Sequence, residues 1–230
     1  MENSKNLKDT SVVERSVPLK VPAVSRRGRT SAQLEEQFLK KIKEEILSCQ
    51  KCPLRKLRDE NKYFPVIGQG NHNADILFIG EAPGQNEAKT GVPFCGASGR
   101  ILDELLNSVG IKREDVYVTN ILKDRPPNNR DPETQEIEVC IPYLRKQIEI
   151  IKPKVICTLG RYSMVVIMQQ FGLTDKLDAI SKIHGKEFEK NGIKIIPLYH
   201  PAVAVYNGNM KETLKTDFQT LKKYSSEVIG

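Results

Sequence analysis

Ala74-Asp75-Ile76-Leu77-Phe78-Ile79-Gly80-Glu81-Ala82-Pro83-Gly84 is the stretch that decides the fold. Its first part is a short apolar run that ends in glycine, the pattern of a buried strand. Its second part turns through Pro83 and Gly84, and a helix is expected from about Gly99 to Val109. Working outward, the same unit recurs. Val116 to Leu122, Lys154 to Gly160 and Ile193 to Tyr199 read as further strands. Helices are expected between them, one opened by Asp131 as N-cap with Pro132 at the first helical position, and another running to about Phe171. A last helix is expected over roughly Asn209 to Val228. Strands alternating with helices imply an α/β chain of three layers, α/β/α, around a central, mainly parallel four-stranded sheet. Ligands bind such sheets beyond the carboxyl ends of the strands. Glu81, Asn120, Arg161 and His200 leave those ends, so four polar groups are expected at one rim.

Upstream, Leu34, Phe38, Ile42, Ile46 and Leu47 recur at helical spacing and lead into Cys49-Gln50-Lys51-Cys52-Pro53. Residues 1–30 are polar, unpatterned and basic, with seven Lys/Arg against three Asp/Glu, and read as a disordered tail before a domain spanning 31–230. The run Ser25-Arg26-Arg27-Gly28-Arg29 could graze DNA phosphates or simply be solvated. The 230 residues suit one domain plus this tail, and the net charge of +7 favours a polyanionic partner. No apolar run approaches the ~18 residues of a membrane span. Glu14, Arg15 and Lys20 interrupt any signal-like stretch, so a cytoplasmic, membrane-free protein is expected. Five cysteines in a reducing compartment point to metal binding, a reactive thiol or core packing rather than disulfides.

The loop after the first strand is dense in Gly and Pro: Gly80-Glu81-Ala82-Pro83-Gly84-Gln85-Asn86-Glu87, then Gly91-Val92-Pro93-Phe94-Cys95-Gly96-Ala97-Ser98-Gly99. It lacks the Lys-Ser/Thr ending of a P-loop and Gly-x-Gly-x-x-Gly, so nucleotide hydrolysis is a poor reading. Several motifs occur in order: Cys49-x-x-Cys52-Pro53-Leu54; Gly80-Glu81-Ala82-Pro83-Gly84-x-x-Glu87; Gly91-x-Pro93-Phe94; Asn120 with Arg125-Pro126-Pro127-x-Asn129-Arg130; Cys140; and His200-Pro201-Ala202. In these the chain resembles the family 4 uracil-DNA glycosylases, the kind that carries an iron–sulfur cluster, over roughly residues 33–225.

The resemblance implies hydrolysis of the N-glycosidic bond of uracil in DNA, a base-excision repair step. Glu81 and His200 would be catalytic, with Gly80, Ala82, Gly84, Glu87, Phe94 and Asn120 lining the base pocket. Uracil flipped from the duplex would stack on Phe94. The Asn120 amide would match O4 and N3–H of uracil. His200 would hydrogen-bond O2 as negative charge builds on the leaving base. Glu81 would stabilise the oxocarbenium-like sugar or orient water. Glu87 would lie near C5 and exclude the thymine methyl. His200 to Tyr206 would enter the DNA, and Lys123, Arg125 and Arg130 would meet phosphates. Plainer roles exist for each: a core aromatic for Phe94, a strand-end cap for Asn120, a packed histidine for His200, a solvated loop residue for Glu87. Since no catalytic lysine is suggested, simple hydrolysis leaving an abasic site is expected. The alternative from another class is a uracil-DNA binding module that does not turn over.

The family's cluster is a [4Fe–4S] centre on four cysteines. Cys49, Cys52 and Cys140 match, whereas the fourth position holds Asp124. A carboxylate is a harder donor than thiolate, so that iron should be lost most readily, giving a [3Fe–4S] form. A Cys₃Asp zinc site is the competing reading. Cys95 and Cys157 read as packing residues, and a monomer is expected.

Overall fold

The computed structural model describes residues 29–224. The basic tail therefore lies outside the described residues, save for Arg29 and Thr30, which open helix α1 (Arg29–Leu47). A short helix α2 (Leu54–Glu60) follows the Cys49–Cys52 turn. The sheet is built from β1 (Gln69–Gly70), β2 (Ile76–Gly80), β3 (Tyr117–Asn120), β4 (Val155–Leu159), β5 (Phe188–Lys190) and β6 (Ile193–Leu198). The connecting helices are α3 (Gln85–Thr90), α4 (Ala97–Asn107), α5 (Thr134–Ile151), α6 (Arg161–Gln170) and α7 (Ile180–Ile183). After β6 come α8 (Ala202–Tyr206) and α9 (Met210–Gln219).

The strand order is β1-β3-β2-β4-β6-β5. The four central strands run parallel and are those expected from the sequence. The sheet nonetheless has six strands, not four, because short antiparallel strands close both edges. β1 has two residues and β5 reads Phe-Glu-Lys, so neither shows the apolar run of a buried strand.

Every residue of β2 is buried. Its side chains alternate between faces, as the period of a strand requires. Leu77 and Ile79 join the core beneath α5 and α6, while Ile76 and Phe78 pack with Leu102, Leu105 and Leu106 of α4 and Phe218 of α9. On one side of β2 lies β3, and on the other lies β4, so the topology switches direction at β2. That point is where open α/β sheets place their ligands.

α1 seats a third, smaller core of Leu39, Ile42 and Ile46 against Tyr143 of α5. Phe38 and Leu47, read from the sequence as part of that stripe, are instead 54% and 43% exposed. The cap of α5 also differs from expectation. Glu133, not Asp131, precedes the helix, and Glu136 accepts the Glu133 backbone N–H in a reciprocal capping box. Asp131 is drawn away to accept a 2.6 Å hydrogen bond from the Tyr162 hydroxyl.

Candidate active site

Gly80 and Asn120 end neighbouring parallel strands in direct register. A Cβ at Gly80 would stand 2.3 Å from Oδ1 of Asn120 and 2.8 Å from Cζ of Phe94, so only glycine lets these two side chains meet. Phe94 sits in left-handed backbone at φ 52°, and its carbonyl oxygen lies 1.7 Å from where a Cβ of Gly99 would be. The tight loop around Phe94 thus depends on glycine at its exit. Asn120 is only 2% exposed.

The His200 ring lies against Phe94, with ring centroids 5.5 Å apart and planes at 26°. Its Nδ1 accepts the backbone N–H of Ala202 at 3.1 Å. With Nδ1 accepting, the neutral ring carries its proton on Nε2. Burial pushes the imidazole down to about 4, so this neutral tautomer is the form at physiological pH.

Glu81 follows Gly80 directly. Burial, reinforced by the nearby Asp131 carboxylate and opposed by the Arg161 guanidinium, pushes its carboxyl up to about 7. Arg161 lies over the Tyr162 ring at 4.4 Å and 3.6 Å from Asp131. Arg161, Asp131 and Tyr162 therefore form a polar wall beside Glu81. Glu87 is turned into its own loop, where Oε1 accepts the Gly96 N–H at 3.3 Å. A Cβ at Gly84 would stand 2.6 Å from Oε2 of Glu87, so these residues pack together as well. Ala82 is half-buried against the α5–α6 side of the core. Ala88 is buried, and its carbonyl accepts the Phe64 N–H at 2.7 Å.

The family model for the uracil DNA glycosylase superfamily matches residues 67–222. The chain belongs to the uracil-DNA glycosylase superfamily. Among its relatives is a type-4 uracil-DNA glycosylase of Sulfurisphaera tokodaii, 45% identical over 190 residues, which are 80% of this chain and 84% of that one. The type-4 uracil-DNA glycosylase of Archaeoglobus fulgidus is 46% identical over 80% of this chain and 92% of its own. That of Thermotoga maritima is 38% identical over 82% and 95%.

In this superfamily member the expected metal residues also approach one another. The Cys52 thiol is pushed up by burial and feels both Asp124 and Cys49. Burial pushes Cys140 up to about 12, and it too lies near Cys52 and Asp124. Three soft sulfur donors suit iron or zinc. The fourth position is otherwise engaged. Asp124, 7% exposed, accepts hydrogen bonds from Nη1 of the buried Arg58 at 3.0 and 3.3 Å. Arg58 also donates to the carbonyls of Ile46 and Leu47 at the end of α1. Among the described residues, no group of three or more His, Cys, Asp and Glu side chains stands in metal-ligating geometry.

Three side chains expected on DNA phosphates or in the core lie elsewhere. Lys123 is fully buried behind β3 rather than facing DNA. Arg130 grips the buried Glu136 with bonds of 2.6 and 3.0 Å, which anchors the start of α5. Cys95 is exposed rather than packed, with Sγ 3.4 Å from the Thr90 hydroxyl, whereas Cys157 is buried in β4 as expected. The segment after His200 forms α8, and Tyr206 projects from its end at 88% exposure. Arg58 and Tyr162 were missed as site neighbours, while Asp131 was read only as a helix cap and Lys123 only as a phosphate contact. Nothing in the local sequence distinguishes them from ordinary surface residues.

Proposed function

We propose that the chain hydrolyses the N-glycosidic bond of uracil in DNA and leaves an abasic site. The observation that carries this reading is the meeting of Asn120, Phe94 and the neutral, Nε2-protonated His200 around Gly80 at the switch point of the sheet. An extruded uracil would stack on Phe94, while the Asn120 amide offers an acceptor to N3–H and a donor to O4. Cytosine reverses that pattern and would leave two buried groups unpaired, a cost of about 1–3 kcal/mol each. As the C1′–N1 bond breaks, charge gathers on O2 of the base, and a donor already fixed in place stabilises it without reorganisation. His200 needs no proton transfer to do this. Glu81, in its ionised form, would stabilise the cationic sugar or orient the attacking water. Glu87 would bound the pocket near C5 through the loop it holds at Gly96. Tyr206, projecting beyond His200, would fill the gap the base leaves.

Cys49, Cys52 and Cys140 would hold an iron–sulfur cluster, with Asp124 facing its fourth side. The soft sulfur donors of the three residues, which lie near one another, support this reading. Such a cluster would supply a structural cross-link between the α1–α2 turn and α5. The thiolates would take up its irons in place of protons. The protein would act as a monomer in the cytoplasm.

Excision is tested by incubating the pure protein with a uracil-containing oligonucleotide and then with alkali. Cleavage at the uracil only after alkali is expected, and Glu81→Ala should slow it at least about a hundredfold. Cleavage before alkali, or retention of intact uracil-DNA in a stable complex, would replace hydrolysis by lyase action or by a non-turnover binder. Protein purified without oxygen should be brown with about four irons and lose one on oxidation, and Asp124→Cys should retain it. Colourless protein with one zinc contradicts the cluster.

A further inference from the structure

Lys123 is the most deeply buried cation among the described residues, at 1% exposure, and no carboxylate among them lies within ion-pair distance of its ammonium. Its Nζ donates to Oγ1 of Thr119 at 2.8 Å, to the backbone oxygen of Asn120 at 2.8 Å and to Oε1 of Gln147 at 2.9 Å. An ammonium has three N–H donors, and all three are used. Burying a cation among neutral acceptors is costly, so a site that keeps one needs a reason.

The placement supplies it. Gln147 belongs to α5, and its Nε2 donates to the carbonyl of Ile67 at 2.8 Å. Thr119 donates to that same carbonyl at 2.9 Å. The backbone oxygen of Lys123 accepts the N–H of Val66 at 2.7 Å. Thus the end of β3, the segment leading to β1 and helix α5 are stitched together at one ammonium. That ammonium holds the peptide oxygen of the residue whose side-chain amide faces the pocket.

We propose that Lys123 is a positioning residue for uracil recognition, locking the peptide of Asn120 to helix α5 so that the Asn120 amide is held at the angle the base requires. This rests on the reading of Asn120 as the group that reads uracil. A reacting group displaced by about 1 Å can lose up to about a hundredfold in rate, so a clamp on the backbone of such a group matters. The role differs from general support of the fold, because it acts through one side chain.

The test is a double-mutant cycle in single turnover at saturating enzyme. Lys123→Met keeps the stem and removes all three donors. It should slow uracil release by between about tenfold and a hundredfold, and weaken inhibition by free uracil by a similar factor. Affinity for DNA carrying an abasic-site analogue, which has no base to read, should stay within about twofold. In an Asn120→Ala background the same change should add less than about twofold. An equal loss in both backgrounds, or unchanged inhibition by uracil, overturns the proposal. If Lys123→Met melts below the assay temperature, Gln147→Met carries the test, since it keeps the Lys123–Asn120 bond but frees the ammonium from α5. It should give a smaller loss, again absent with Asn120→Ala, and loss of the same size in both backgrounds is again contrary. If the wild-type chain neither releases uracil nor binds the free base, the functional reading itself fails, and the two failures are thereby told apart.

Discussion

Glu81 carries a carboxyl group that burial holds at about 7, well above its ordinary 4.5. In the role proposed for Glu81 the useful form is the carboxylate, so kcat/KM for uracil-DNA should rise with pH through about 7 and then level off. A profile flat between pH 5.5 and 8.5 would remove Glu81 from the chemistry. The same shift has a stability consequence. Below pH 4.5 the carboxyl is neutral in both folded and unfolded chains. Between 4.5 and about 7 the unfolded chain releases its proton while the folded one keeps it, so folding is progressively weakened. Glu81→Gln should therefore stabilise the protein at pH 8 by on the order of 1–3 kcal/mol and change little at pH 4. Equal melting shifts at the two pH values would contradict that origin. His200, held down at about 4, stays neutral in the folded chain through the activity profile, and its opposite effect on stability between about 4 and 6.5 is common to both proteins and cancels in the comparison.

At the scale of elements, the four central strands were readable because each is an apolar run closed by a polar residue or a glycine. The edge strands were not, since two residues, or three mostly polar ones, carry no such period. The candidate pocket residues were readable for a related reason: they leave the carboxyl ends of those strands, where open α/β sheets bind ligands, and fall within the motifs quoted above. Lys123 and Arg58 could not be found this way. Charged residues are solvated by default, and the partner of Arg58 is 66 positions away. That pair now makes a prediction. Arg58 joins the end of α1, helix α2 and the loop carrying Asp124. Arg58→Met leaves a buried carboxylate unpaired and should cost about 3–5 kcal/mol. The double change Arg58→Met with Asp124→Leu should recover most of it. Urea denaturation of both variants decides the matter, and a double variant no more stable than the single one would show that the pair is not the source of the loss.

For the whole molecule, charge and shape serve different steps. The net charge of +7 includes +4 from residues 1–30, which lie before the superfamily match at 67–222. Removing the tail should lower the salt dependence of DNA binding and leave the single-turnover rate at saturating enzyme unchanged. A large fall in that rate would make the tail part of the active domain. The proposed chemistry belongs to the rim of the sheet, where the topology switches at β2 and Gly80, Asn120, Phe94 and His200 come together. The central claim is that this pocket selects uracil by the donor–acceptor order of the Asn120 amide. It is tested most directly by comparing Asn120 and Asn120→Asp in single turnover on otherwise identical strands bearing uracil or cytosine. Replacing the amide donor by an acceptor should depress uracil release by at least about a hundredfold and shift preference towards cytosine. Uracil release that survives the change undiminished, with cytosine still ignored, would contradict the account.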